Sequence, residues 1–165
     1  MGELDPTATR ALREATRLLS RRPRTVHELS NVLCRRYDEP LVHTVVEMLC
    51  SRGALDDRKT ARDWLQYRAE KKPLGRAGLE SHLLRRGFPR EVIDTALGEY
   101  YRERQGGEEG DLRRSLADLV RRNPDRAEPA AVNRLASKLV RRGFPADAVW
   151  SLLWRQGLAE PETMD

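Results

Sequence analysis

Apolar residues recur along this 165-residue chain at the three- and four-residue spacing of amphipathic helices. No alternating run is long enough to make a strand. The stretch from Leu79 to Leu97 gives the pattern in full. Leu79, Leu83 and Leu84 form an apolar helix stripe, and Arg85-Arg86 stand in the last turn, where cations favour the helix dipole. Gly87 suits the left-handed residue that ends a helix. Phe88 can then fold back onto the core, and Pro89 fits the first turn of the next helix. Val92, Ile93, Ala96 and Leu97 supply that helix with a buried face. The string encodes helix, tight turn, helix.

The same string returns 56 residues later as Leu135-Ala-Ser-Lys-Leu-Val-Arg-Arg-Gly-Phe-Pro145, with Ala148, Val149, Leu152 and Leu153 downstream. A weaker copy precedes both: Leu29, Leu33, Arg35-Arg36 and Tyr37, then Leu41, Val42, Val45 and Val46, without the glycine. Repetition of this kind marks a tandem array. A longer helix precedes each pair. Asp5-Pro6 starts one that runs to about Arg21. Thr25-x-x-Glu28 is a capping box for the next. Asp56-Asp57 cap a helix over about Arg58 to Lys72, which Pro73 and Gly75 end. Gln105-Gly-Gly-Glu-Glu-Gly110 reads as a linker before a helix at about 111–122. Pro124 and Pro129 bracket a turn, and Gly157 to Asp165 reads as a frayed tail. The expected fold is all-α and elongated: nine helices in three helix-turn-helix-like repeats, at 6–52, 57–104 and 111–156.

Composition narrows the picture. Charged residues are 35% of the chain and aromatic residues only nine in number, which suits thin helical layers better than one large core. The net charge of +5 is uneven. Residues 10–104 carry 21 Lys and Arg against 14 Asp and Glu, which favours a polyanionic partner. No apolar run approaches the roughly 20 residues that span a bilayer, and the N-terminal residues do not form a signal peptide. Cys34 and Cys50 fit a reducing cytosol, with Cys34 expected as a small buried group.

Taken in order, Gly53-Ala54-Leu55-Asp56-Asp57, Trp64, Arg68, Lys72-Pro73-Leu74-Gly75-Arg76 and the Leu79–Phe88 string resemble the RecX family across about residues 10–156. Thr60 stands where that family usually has an aromatic residue or Leu, and the first turn has Arg36-Tyr37 without glycine. The resemblance implies tandem three-helix units and a regulator of RecA. Such a protein binds the nucleoprotein filament along its groove, suppresses ATP hydrolysis, strand exchange and coprotease activity, and in many members contacts DNA directly.

Catalytic chemistry is not expected. His27, His43 and His82 are isolated, the cysteines lack C-x-x-C spacing for zinc, and no phosphate-gripping loop ends in Lys-Ser/Thr. Neither a metal nor a cofactor is expected. The candidate contact residues are all cations. Arg35-Arg36, Arg85-Arg86 and Arg141-Arg142 recur at one place in each repeat, and stacked repeats would line them into a basic track. Arg68, Lys71, Lys72 and Arg76 form a second cluster. The expected partners are the RecA filament and single- or double-stranded DNA, bound weakly and without sequence preference by a cytoplasmic monomer. The alternative is a helical-repeat or helix-turn-helix nucleic-acid regulator with no recombinase partner. The second helices begin Pro-Arg-Glu-Val-Ile and Pro-Ala-Asp-Ala-Val, poor in residues that read base edges.

Overall fold

The computed structural model describes residues 5–122 and 129–159. These residues form nine helices and no strand. The helices are α1 (Pro6–Arg21), α2 (Val26–Leu33), α3 (Glu39–Ser51), α4 (Asp57–Lys71), α5 (Arg76–Arg85), α6 (Arg90–Glu103), α7 (Gly107–Arg121), α8 (Pro129–Arg141) and α9 (Ala146–Arg155). The all-α class with three-helix repeats is therefore the observed one. The turn expected around Pro124 and the tail beyond Ala159 lie outside the described residues.

Local chemistry sets most boundaries where the sequence puts them. Pro6 opens α1 at its first turn. The Thr25 hydroxyl accepts from the Glu28 amide, and the Glu28 carboxylate reaches back to the Thr25 amide, so the capping box is complete. Asp56 caps α4 by accepting from the Lys59 amide at 3.0 Å. Asp57 does something else: its Oδ1 accepts from the amide of Val26, the first residue of α2, at 2.9 Å. The second carboxylate thus caps a different helix, an assignment that spacing within one helix does not reveal.

The repeated string behaves as one packing unit. Gly87 and Gly143 have φ of +74° and +86°, and Phe88 and Phe144 are buried behind them. In the third helix of each triplet the first apolar position is half-buried and the next three are buried. These positions are Leu41, Val42, Val45 and Val46; Val92, Ile93, Ala96 and Leu97; Ala148, Val149, Leu152 and Leu153. The first triplet therefore shares the design although it lacks the glycine, and Tyr37 packs against its core. In α1 the inward face is Ala8, Ala11 and Ala15, small enough to bring the helix close to α2 and α3. The third triplet closes around Leu116, Leu135, Leu139, Phe144 and Leu153.

Four expectations are corrected. Leu84 is not part of the buried stripe. It is 47% exposed, and its counterpart Val140 is 41% exposed. Five residues on from Leu79 is about 140° around the helix, off the face that Leu79 and Leu83 share. Cys34 holds the same position in the first triplet and is exposed, as is Cys50. The Gly-rich stretch is not a linker up to residue 110, because α7 starts at Gly107 behind Gly106 with φ of +81°. That corner is braced by the fully buried Asp111, which accepts from the Tyr100 hydroxyl and the Arg104 guanidinium, each at 3.0 Å, and from Arg114. Finally, the tail does not fray at once, since Leu158 and Ala159 pack on the third core.

The described residues group into two compact units. One runs up to Asp63 and adds Leu83–Ala96; the other holds Trp64–His82 and the residues from Leu97 onward. Each unit contains one joint between successive triplets, and the joints are built alike. In the first, the Thr25 hydroxyl donates to the Arg86 carbonyl at 2.9 Å. Gly87 there lies so close to the His27 ring that a Cβ would sit 2.3 Å from it. In the second, the Gly75 amide donates to the Arg142 carbonyl at 3.0 Å. Gly143 there lies against Gly78, where a Cβ would sit 2.0 Å from the Gly78 nitrogen. The Arg-Arg-Gly turn of one triplet docks on the start of the second helix of the triplet before it.

Candidate functional site

The recurrent arginine pairs divide by position. The second arginine of each pair is engaged within the fold. Arg86 makes a forked contact with Glu28, Nε to Oε1 at 2.9 Å and Nη2 to Oε2 at 3.3 Å, and lies over the Phe88 ring. Arg142 donates to the buried Ser115 hydroxyl. Arg36 pairs with Glu14 of α1 at 2.9 Å but stays 67% exposed. The first arginines, Arg35, Arg85 and Arg141, are exposed. A forked pair between a cation and a carboxylate fixes geometry as well as charge, so Arg86 serves the joint.

Burial alone would lift the Glu28 carboxyl, but the hydrogen bond and charge of Arg86, together with Arg22, outweigh it and hold it below the usual value. A carboxyl depressed on folding stabilises the fold above its unfolded value, near about 4.3, and that stabilisation is lost as pH falls through the lower folded value. Glu28→Gln should therefore be less stable than wild type at neutral pH, with the gap closing on acidification below about pH 4.3. Denaturation midpoints measured from pH 7 to pH 3 check this. A gap that does not change with pH would show that the charge of Glu28 contributes nothing.

The second cluster also divides. Arg68 lies on α4, half-buried, with its Nε buried and no hydrogen-bond partner. Burial pushes the Arg142 guanidinium below its usual value; Asp118 opposes this, while the charges of Arg122 and Arg68 add to it. The charges of Arg68 on α4 and Arg122 at the end of α7 thus reach Arg142 in the turn after α8, and Asp118 opposes them there. Lys71 and Lys72 at the end of α4 are exposed. Arg76 is turned to other uses: its amide donates to Glu108 Oε1 at 2.7 Å, and its guanidinium lies 5.8 Å from the Tyr101 ring centre. Arg68 and Arg122 thus act electrostatically on Arg142, while Lys71, Lys72 and Arg76 stand exposed farther along the chain from Arg68.

Sequence spacing missed Arg122, whose role depends on where α7 ends relative to α4 and α8. It also missed Tyr67, which is 59% exposed on α4 one residue before Arg68, while the Trp64 and His82 rings meet in a tilted contact at 5.7 Å between ring centres. A convergence of like charges with an exposed aromatic ring alongside suits a polyanion, which would relieve the repulsion among the guanidinium groups. Among the described residues no group of three or more His, Cys, Asp and Glu is placed to hold a metal ion. No described helix is long and apolar enough to cross a membrane.

Helix triplets that dock turn against helix start, and that present clustered cations, define a tandem helical-repeat protein. Residues 11–49 match the family model of the first three-helix domain of RecX, and residues 56–97 that of the second. Regulatory protein RecX of Mycobacterium sp. (strain JLS) is 35% identical over 133 residues, spanning 78% of this chain and 71% of that protein. Its namesake from Mycobacterium ulcerans (strain Agy99) is 34% identical over 130 residues, 78% of this chain and 73% of that one. The crystal structure of RecX from Lactobacillus salivarius aligns with a TM-score of 0.76 at 16% identity, covering 92% of this chain and 97% of that one. A second solved structure, of regulatory protein RecX, aligns with a TM-score of 0.71 at 20% identity, over 89% and 76%. The chain belongs to the RecX family.

Proposed function

We propose that this chain binds the RecA nucleoprotein filament and restrains its ATPase, recombinase and coprotease activities. In this reading it acts as a cytoplasmic monomer that catalyses no reaction. Contact with single- or double-stranded DNA is ancillary, weak and tolerant of sequence. The repeats at 6–52, 57–104 and 111–156 are the units that engage successive parts of the filament. What supports the proposal beyond family membership is the mutual repulsion of Arg68, Arg122 and Arg142 together with the exposure of Lys71 and Lys72, three and four residues on from Arg68. Binding alone suffices for the effect: a ligand that prefers one filament state shifts the filament toward it by the difference in affinity. The helix-turn-helix alternative has less support. Arg90, at the start of α6, faces Asp94 at 3.6 Å, and Val92, Ile93 and Leu97 turn inward.

The test is Lys71→Glu combined with Lys72→Glu. Both residues are exposed, so each change should alter stability by less than about 0.5–1 kcal/mol, including the lost helix-dipole term. In a RecA ATPase assay on single-stranded DNA, inhibition should weaken and its sensitivity to salt should fall. A folded double variant that inhibits as well as wild type removes this cluster from the mechanism.

A further inference from the structure

A second basic site lies on the first triplet, well separated in sequence from the α4 cluster. Its residues belong to α1 and to the turn after α2. Arg10, Arg13, Arg17 and Arg36 line an open concavity of about 500 Å³ together with Glu14 and Tyr37. Arg10, Arg13 and Arg17 stand at i, i+3 and i+7, on the face of α1 that Ala8, Ala11 and Ala15 do not use for packing. Among the described residues no ion pair engages these three. Glu14, the one acid in the lining, is already taken: it accepts from Arg36 at 2.9 Å and from the Tyr37 hydroxyl at 3.1 Å.

The repeat explains why this groove exists. In the second and third triplets the arginine at this position is held beside a joint, Arg86 by Glu28 and Arg142 by Ser115. The turn of the first triplet has Tyr37 where the others have Gly-Phe. Arg36 therefore keeps its guanidinium largely in solvent and turns it toward α1. The position that builds a joint twice lines a groove once.

The geometry points to a phosphate-binding groove for the backbone of a nucleic acid, formed by Arg10, Arg13, Arg17 and Arg36. It rests on the nucleic-acid part of the function proposed above and gives that contact a place outside the α4 cluster. The three α1 cations span about 10 Å along the helix, long enough to meet more than one phosphate of a single strand. Arginine suits this, because its planar donors pair with phosphate oxygens two at a time. Contacts to phosphate position a strand without reading its bases, so binding in the groove is tolerant of sequence.

The test uses the full chain, a fluorescent oligo-dT probe and no recombinase. Arg13→Gln with Arg17→Gln removes two charges with little loss of helix propensity. Affinity at about 0.1 M salt should fall about tenfold to thirtyfold, and the slope of log affinity against log salt should shrink by about 1.4. Glu14→Gln should act in the opposite sense, raising affinity about fivefold, an outcome that misfolding does not produce. The loss should persist in the Lys71→Glu, Lys72→Glu background, which separates this groove from the α4 cluster. Unchanged oligonucleotide affinity in the folded double variant overturns the proposal. So does lost inhibition of RecA with oligonucleotide binding intact, which would make the groove a protein contact and leave the function proposed above standing. Saturable binding of inorganic pyrophosphate at micromolar concentration, abolished by the same variant, would overturn it in favour of a small phosphate ligand.

Discussion

Phe144→Ala should destabilise the third triplet by about 3–5 kcal/mol, and Phe88→Ala should cost a similar amount. Both rings are nearly fully buried. Phe144 packs among Leu139, Val149, Leu152 and Leu153 of its own core, and its amide returns to the Leu139 carbonyl. Removing the ring leaves a cavity where two short helices meet, and helices already packed against the rest of the triplet can close into it only in part. Urea denaturation followed by circular dichroism reads the loss. A cost below about 1 kcal/mol at both sites would show that the repeated string is not a packing motif.

Gly143→Ala should be nearly as damaging, for two separable reasons. A left-handed backbone costs an alanine about 1–2 kcal/mol. The added Cβ also meets backbone, lying 2.0 Å from the Gly78 nitrogen and 2.5 Å from its Cα. Backbone cannot swing aside as a side chain can, so the joint must open, at about 1–3 kcal/mol more. Gly53→Ala is the control. Its φ is +66° and nothing lies within 4 Å of the added atom, so only the backbone term applies. The expected costs are about 2–5 kcal/mol at Gly143 and about 1–2 kcal/mol at Gly53. Equal costs at the two positions would mean that the Gly78–Gly143 contact contributes no stability.

These two experiments fall on residues that the sequence singles out, and the reason is local. A helix start depends on a cap and its neighbours within four residues, so Asp5-Pro6, Thr25-x-x-Glu28 and Asp56 could be read directly. A helix end at Gly87 or Gly143 depends on one residue's freedom to take positive φ. The buried face of α3, α6 and α9 follows from period alone, and all three agree in pattern. The three-helix repeat is therefore written in the amino-acid order.

What the sequence left open are choices made by neighbours distant along the chain. Arg85 and Arg86 look alike as a pair, yet Arg86 meets Glu28, 58 residues away, and Arg85 stays at the surface. Asp56 and Asp57 look like two caps for one helix, yet Asp57 caps α2. Leu84 is as apolar as Leu83, but it stands on a side of α5 that stays exposed. Arg10, Arg13 and Arg17 read as an ordinary solvated face until the turn carrying Arg36 and Tyr37 closes a groove around them. By itself the sequence determined where most helices begin, where the repeated turns fall and which stripe α3, α6 and α9 bury, because those depend on backbone sterics and hydrogen bonds a few residues long. Only the tertiary structure decided which cations are held in joints and which gather into a charged surface, because electrostatic partners are set by distance in space, and that distance is fixed by how one triplet docks on the next.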